Sequence, residues 1–90
     1  MNTKDNQAKG IKLIKFEQSN CAPCAAMDMF FKAQEFDSYE RVNPFDDPHL
    51  AVKYDIGSVP TLILVDENGN EIARSVGFNP PEIEKLISQL

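Results

Sequence analysis

Ile11-Lys12-Leu13-Ile14-Lys15-Phe16, then Cys21-Ala22-Pro23-Cys24 after a short polar break, then Ala25 to Glu35: this stretch decides the fold. Its first six residues put apolar side chains on both faces of an extended chain, as in an interior strand of a sheet covered on both sides. From Cys24 to Glu35 the period changes. Met27, Phe30 and Phe31 stand at i, i+3 and i+4 with no glycine to interrupt them, which predicts a helix. Pro23 falls in the opening turn, where its missing N–H costs little.

Outward from that stretch, Ser38 to Asn43 reads as a short strand. Asp47-Pro48 is a helix start with Asp as N-cap, and the helix is expected to run to near Gly57. Thr61-Leu62-Ile63-Leu64-Val65 is an apolar run of strand length. It feeds Asp66-Glu67-Asn68-Gly69-Asn70, a hairpin turn expected to centre on Asn-Gly, with Glu71 to Val76 as partner strand. Asn79, Pro80 and Glu82 open a last helix as cap, first residue and capping-box acid, and Ile83, Leu86, Ile87 and Leu90 form its apolar stripe. The order β-α-β-α-β-β-α predicts an α/β fold: a central mixed sheet of about four strands flanked by three helices, its first strands parallel by right-handed crossover.

Ninety residues make one domain, expected over 11–90, behind a polar, flexible lead-in over 1–10. A formal charge of −5 argues against a nucleic-acid surface, since phosphates are held by clustered Lys and Arg. No apolar run is long enough to cross a bilayer. The lead-in lacks the apolar segment of a secretory signal, so a complete chain is expected in the cytoplasm, as a monomer.

Two cysteines three positions apart are the whole thiol inventory. In a reducing compartment such a pair is more often catalytic or metal-binding than a structural staple. At a helix start, Cys21 precedes the unpaired N–H groups that favour a thiolate, so Cys21 reads as the attacking thiol and Cys24 as the resolver. Pro23 restricts the loop between them. Zinc binding would need two more ligands, and the chain offers the single histidine His49. Inert thiols, or a non-enzymatic module using the pair as sensor or metal clip, are the other readings. Loops and caps account for Asp46-Asp47 and Asp66-Glu67, and His49 reads as solvated. Met27, Met29, Phe30 and Phe31 read as core, and no glycine-rich phosphate loop implies a nucleotide cofactor.

Lys15-Phe16…Cys21-Ala22-Pro23-Cys24, then Tyr54-Asp55-Ile56-Gly57-Ser58-Val59-Pro60-Thr61, then Asn68-Gly69 and Val76-Gly77, resembles the thioredoxin family over about 11–90. The resemblance implies a thioredoxin-like fold with Pro60 cis and facing the cysteines. It implies that Val59 lends its backbone to a substrate chain, with Gly77 beside that docking surface and Asn20, Ala22 and Pro23 on it. It implies reduction of protein disulfides, with an upstream thiol or flavoprotein reductase as donor and no cofactor. The chain also departs from the family. Asn20 stands where Trp is usual, Ala22 where Gly is usual, Lys15 where a buried acid is usual, and Arg41 where a lysine accompanies that acid. No counterpart of the family's first strand and helix is read in Met1 to Gly10, so the chain is closer to glutaredoxin in size. Asn79-Pro80-Pro81-Glu82, however, is not a glutathione-binding Gly-Gly element.

Alternation puts Lys15 on the face of Leu13, opposite Ile14 and Phe16. If that face meets the helix after the cysteines, the ammonium is expected to favour the Cys21 thiolate and to leave Cys24 without the family's proton acceptor. The other reading sends the ammonium to solvent along a packed stem.

Overall fold

A computed structural model describes residues 10–90, and the expected lead-in lies outside these apart from Gly10. The elements run β1 (Lys12–Phe16), α1 (Ala22–Ala33), β2 (Tyr39–Val42), α2 (Pro48–Lys53), β3 (Thr61–Val65), β4 (Glu71–Val76) and α3 (Pro80–Ile87). The strands form one mixed sheet in the order β2-β1-β3-β4. This is the expected α/β architecture.

β1 is flanked on both sides, parallel to β2 and antiparallel to β3. The helix between β2 and β3 thus does not make a second parallel crossover. Val42 and Thr61 both pair with Phe16, so that connection leaves and re-enters the sheet at the same end, and β3 must run back. At this end the chain leaves β1 toward the cysteines.

The sheet separates two apolar layers. Leu13, Leu62 and Leu64 meet Met27 and Phe31 of α1 and Ile83 and Leu86 of α3. Ile14, Phe16, Ile63 and Val65 meet Tyr54 on the other face, with Leu50 of α2 packed against them. Phe31 is the hub of the first layer, ringed by Phe30, Phe36 and Tyr39, and burying such a side chain stabilises the fold by about 1.5–3 kcal/mol. Met29, expected in the core, is 72% exposed, because it falls on the outer side of α1 between the buried positions 27 and 31.

The turns hold two further differences. Gly69 N–H donates to Asp66 O and Gly69 has φ +81°, so Glu67-Asn68 are the central pair rather than Asn68-Gly69. The left-handed glycine then leads into a register shift in which Leu64 faces Ala73 and Val65 faces Glu71. Asn79 caps α3 by accepting from Glu82 N–H at 3.3 Å, but the Glu82 carboxylate takes the Ser75 hydroxyl at 2.8 Å rather than closing a capping box.

Candidate active site

Cys21 is the N-cap of α1. Its backbone is extended (φ −120°, ψ 104°), and its sulfur accepts the Cys24 N–H at 3.1 Å. That bond takes one of the orphan donors every helix start exposes, so the helix begins at Ala22, two residues before the start the apolar period suggests. Asn20 turns the chain into the cap with φ 56°, a left-handed conformation asparagine tolerates better than most residues. Cys21 is half-buried, Ala22 and Pro23 are exposed, and Cys24 in the first turn is 3% exposed. The two cysteines are joined as a disulfide, with Cα atoms 5.2 Å apart.

β3 and β4 bring two more segments to this end of the sheet. The Val59–Pro60 peptide bond is cis, and Pro60 is buried. Gly77, just past the Val76 that pairs with Thr61, donates its N–H to Pro60 O at 2.8 Å. The Thr61 hydroxyl donates to Ser58 O at 2.9 Å and braces the loop from the other side. Val59 is half-buried, and its own N–H and C=O take no hydrogen-bond partner among the described residues.

Lys15 is fully buried on the side of Leu13, so its ammonium does not reach solvent. Nζ donates to Cys24 O at 3.1 Å, to Glu17 Oε1 at 2.5 Å and to Asp28 Oδ1 at 2.6 Å. It therefore lies against the backbone of Cys24. Arg41, paired with Lys15 across the sheet, contacts the same Glu17 and Asp28 oxygens at 2.9 and 3.0 Å. Tyr39 adds its hydroxyl between Arg41 and Asp28. Burial raises the Asp28 carboxyl, but the Lys15 hydrogen bond and charge, then the Arg41 charge, outweigh it and hold the group below the ordinary aspartate value. Burial likewise lifts the Tyr39 phenol, and Asp28 and Glu17 reinforce it against Arg41.

Sequence reasoning named neither Glu17 nor Asp28. The signal was present: Asp28 stands four residues after Cys24, one helical turn away on the same face. Both carboxylates, together with both cysteines and Asn20, line an open cavity of about 560 Å³. His49 lies exposed on α2, and no three His, Cys, Asp or Glu side chains among the described residues converge as metal ligands. No helix among them is long and apolar enough to cross a membrane.

A four-stranded mixed sheet that carries a capped Cys-x-x-Cys helix and a cis-proline loop at one end is a scaffold for thiol–disulfide exchange. The chain belongs to the thioredoxin-like domain family, whose model matches residues 1–90. It is 35% identical to the SPbeta prophage-derived thioredoxin-like protein YosR of Bacillus subtilis, over 89% of this chain and 99% of that one. It is 33% identical to thioredoxin of Chlamydia trachomatis, over 98% of this chain and 90% of that one. Among solved structures, a thioredoxin of Schistosoma mansoni superposes with a TM-score of 0.76 at 25% identity, covering 94% of this chain and 82% of that one. Family membership and the bonded Cys21–Cys24 pair together support thiol–disulfide oxidoreductase chemistry in general.

Proposed function

We propose that the chain reduces disulfides in protein substrates through Cys21 and Cys24. The observation that carries this reading is the asymmetry of the pair: Cys21 caps the helix at the protein surface, and Cys24 is buried in its first turn. The Cys21 thiolate, held by the Cys24 N–H, attacks one substrate sulfur. The substrate disulfide breaks, its other sulfur leaves as a thiolate, and a mixed disulfide to Cys21 remains. Cys24 then attacks Cys21, the second substrate sulfur departs with its electron pair, and the protein is left oxidised as the Cys21–Cys24 disulfide, having given up the two electrons the substrate has gained. An upstream thiol or flavoprotein reductase returns the pair to the dithiol state. Val59, with its unpaired backbone groups, and Pro60 hold the substrate chain by strand addition, and Asn20, Ala22, Pro23 and Gly77 line its path. The protein acts as a cytoplasmic monomer without a cofactor of its own.

Turbidimetric reduction of insulin with dithiothreitol as donor tests the activity, and trapping tests the roles. Cys24→Ser is expected to accumulate mixed disulfides with protein partners, whereas Cys21→Ser accumulates none. Equal trapping by both variants overturns the assignment of attacker and resolver, and a wild type no faster than dithiothreitol alone overturns the activity.

A further inference from the structure

Resolution demands something that the cysteines themselves do not supply. Cys24 is 3% exposed, and burial disfavours a thiolate, so its proton needs a nearby acceptor before the sulfur can attack. Lys15, the group against its backbone, already carries three hydrogen-bond acceptors around its ammonium and offers no lone pair. The carboxylates that hold Lys15 do offer lone pairs, and of the two, Asp28 shares the helix face of Cys24 one turn on. Lys15 Nζ joins the Cys24 carbonyl to Asp28 Oδ1, and so fixes the separation between cysteine and carboxylate. Cys24 and Asp28 also border the same cavity, which is open enough to admit solvent between them.

Resting on the oxidoreductase reading above, we propose that Asp28 accepts the Cys24 proton as the mixed disulfide resolves, with Lys15 as its positioning residue. The Cys24 S–H bond breaks and its proton passes through cavity solvent to the Asp28 carboxylate. The Cys24 thiolate attacks Cys21 Sγ, the Cys21–Cys24 bond forms, and the bond from Cys21 to the substrate sulfur breaks with its electron pair on the substrate. That substrate thiolate takes up the proton Asp28 has held, and the substrate disulfide is the oxidant throughout. The groups facing Asp28 are Lys15 and Glu17 from the β1 side and Tyr39 and Arg41 from β2. Lys15 and Arg41 hold Asp28 charged and below its ordinary value, so it takes the proton only in passing and gives it up readily to the substrate thiolate. Glu17, like Asp28, is bound by both Lys15 and Arg41, but it follows β1 instead of sharing the helix of Cys24, and it serves as their counter-ion.

Ellman's reagent separates the two steps. The reduced protein releases one thionitrobenzoate as Cys21 is modified and a second as Cys24 resolves, and both are read by stopped-flow absorbance across a pH series. Asp28→Asn is expected to slow the second release at neutral pH by tenfold or more and to make it climb with pH, while the first release shifts by no more than about threefold. Asp28→Glu, which keeps a carboxylate, stays within about threefold of wild type, and Glu17→Gln keeps the wild-type pH profile. An unaltered second release in Asp28→Asn, or a larger loss in Glu17→Gln, overturns the role given to Asp28 while the oxidoreductase reading stands. A wild type that gives no second release at any pH overturns both. Asp28→Asn leaves Lys15 bonded to Glu17 and Cys24 O, and a first release that stays within about threefold of wild type shows in the same trace that the site is intact.

Discussion

Lys15 shows what a single residue can do to a shared scaffold. A lysine fully inside a protein is rare unless it is paired, and this one is paired three times. Alternation along β1 was enough to name its face, and Leu13 and Lys15 do look toward α1. Its partners were not legible in the same way, because Glu17 lies past the strand and Asp28 on another element, so only the fold brings them together. Lys15→Met keeps the packed stem and removes the charge, leaving two carboxylates beside the cysteine cavity without their ammonium. We expect it to cost about 1–3 kcal/mol at pH 7, the range for stranding a hydrogen-bonded polar group, and to move the Cys21 thiolate absorbance to higher pH. Asp28 is held below its ordinary value of 3.8, so its contribution is complete above that value and fades as pH falls through the lowered one. The deficit of Lys15→Met in urea denaturation is therefore expected to be smaller at pH 3 than at pH 7. A constant deficit shows that the charge does not act through Asp28, and an unmoved thiolate titration shows that it does not reach Cys21.

At the scale of elements, the sequence placed the strands well and the helix ends poorly, and the caps explain both. Apolar runs such as Thr61 to Val65 announce themselves, and that strand lies where its pattern put it. Asp47 and Asn79 cap α2 and α3 as their residue types suggest. α1, by contrast, is capped by a sulfur, and α1 and α2 both end without glycine. Phe36 N–H reaches Phe31 O and Glu35 N–H reaches Lys32 O, while Ile56 and Asp55 repeat the pattern onto Ala51 and Val52. These are Schellman closures, with Glu35 at φ 54° and Asp55 at φ 52° in the position glycine usually fills. Gly57 drew the expected end of α2 too far along because the turn that stops the helix uses Asp55 instead. Glu35→Gly is accordingly expected to stabilise the protein by about 0.5–1 kcal/mol, the left-handed strain relieved less the extra freedom of the unfolded chain. Asp55→Gly should gain less, since aspartate tolerates this region better than glutamate. Thermal denaturation reads both, and a loss of stability in Glu35→Gly shows that its side chain contributes more than its backbone costs.

For the whole molecule, the site is a property of the sheet order. One end of the sheet collects the exit of β1, the entry of β3 and the exit of β4, and these carry the cysteines, Val59-Pro60 and Gly77 respectively. The motif spacing revealed the landmarks because each lies at a strand boundary, but it could not show the bond from Gly77 N–H to Pro60 O that ties the last strand to the loop. Gly77 separates two demands that coincide at most glycines. Its φ of +83° taxes any side chain, yet nothing lies within 4 Å of where a Cβ would stand, so inside the protein there is room for one. Gly77→Ala should therefore cost only the backbone strain, about 1–2 kcal/mol, and leave the folded protein with its cysteines undisturbed. If that open space is where a substrate chain lies, the methyl group obstructs a protein but not a small reagent. Iodoacetamide should then modify Cys21 at the wild-type rate, while insulin reduction slows several-fold through a raised KM rather than a lowered kcat. A variant that reduces insulin as well as wild type would place the docking surface elsewhere. One that loses both reactions equally would show that the glycine holds the active-site loop rather than the substrate.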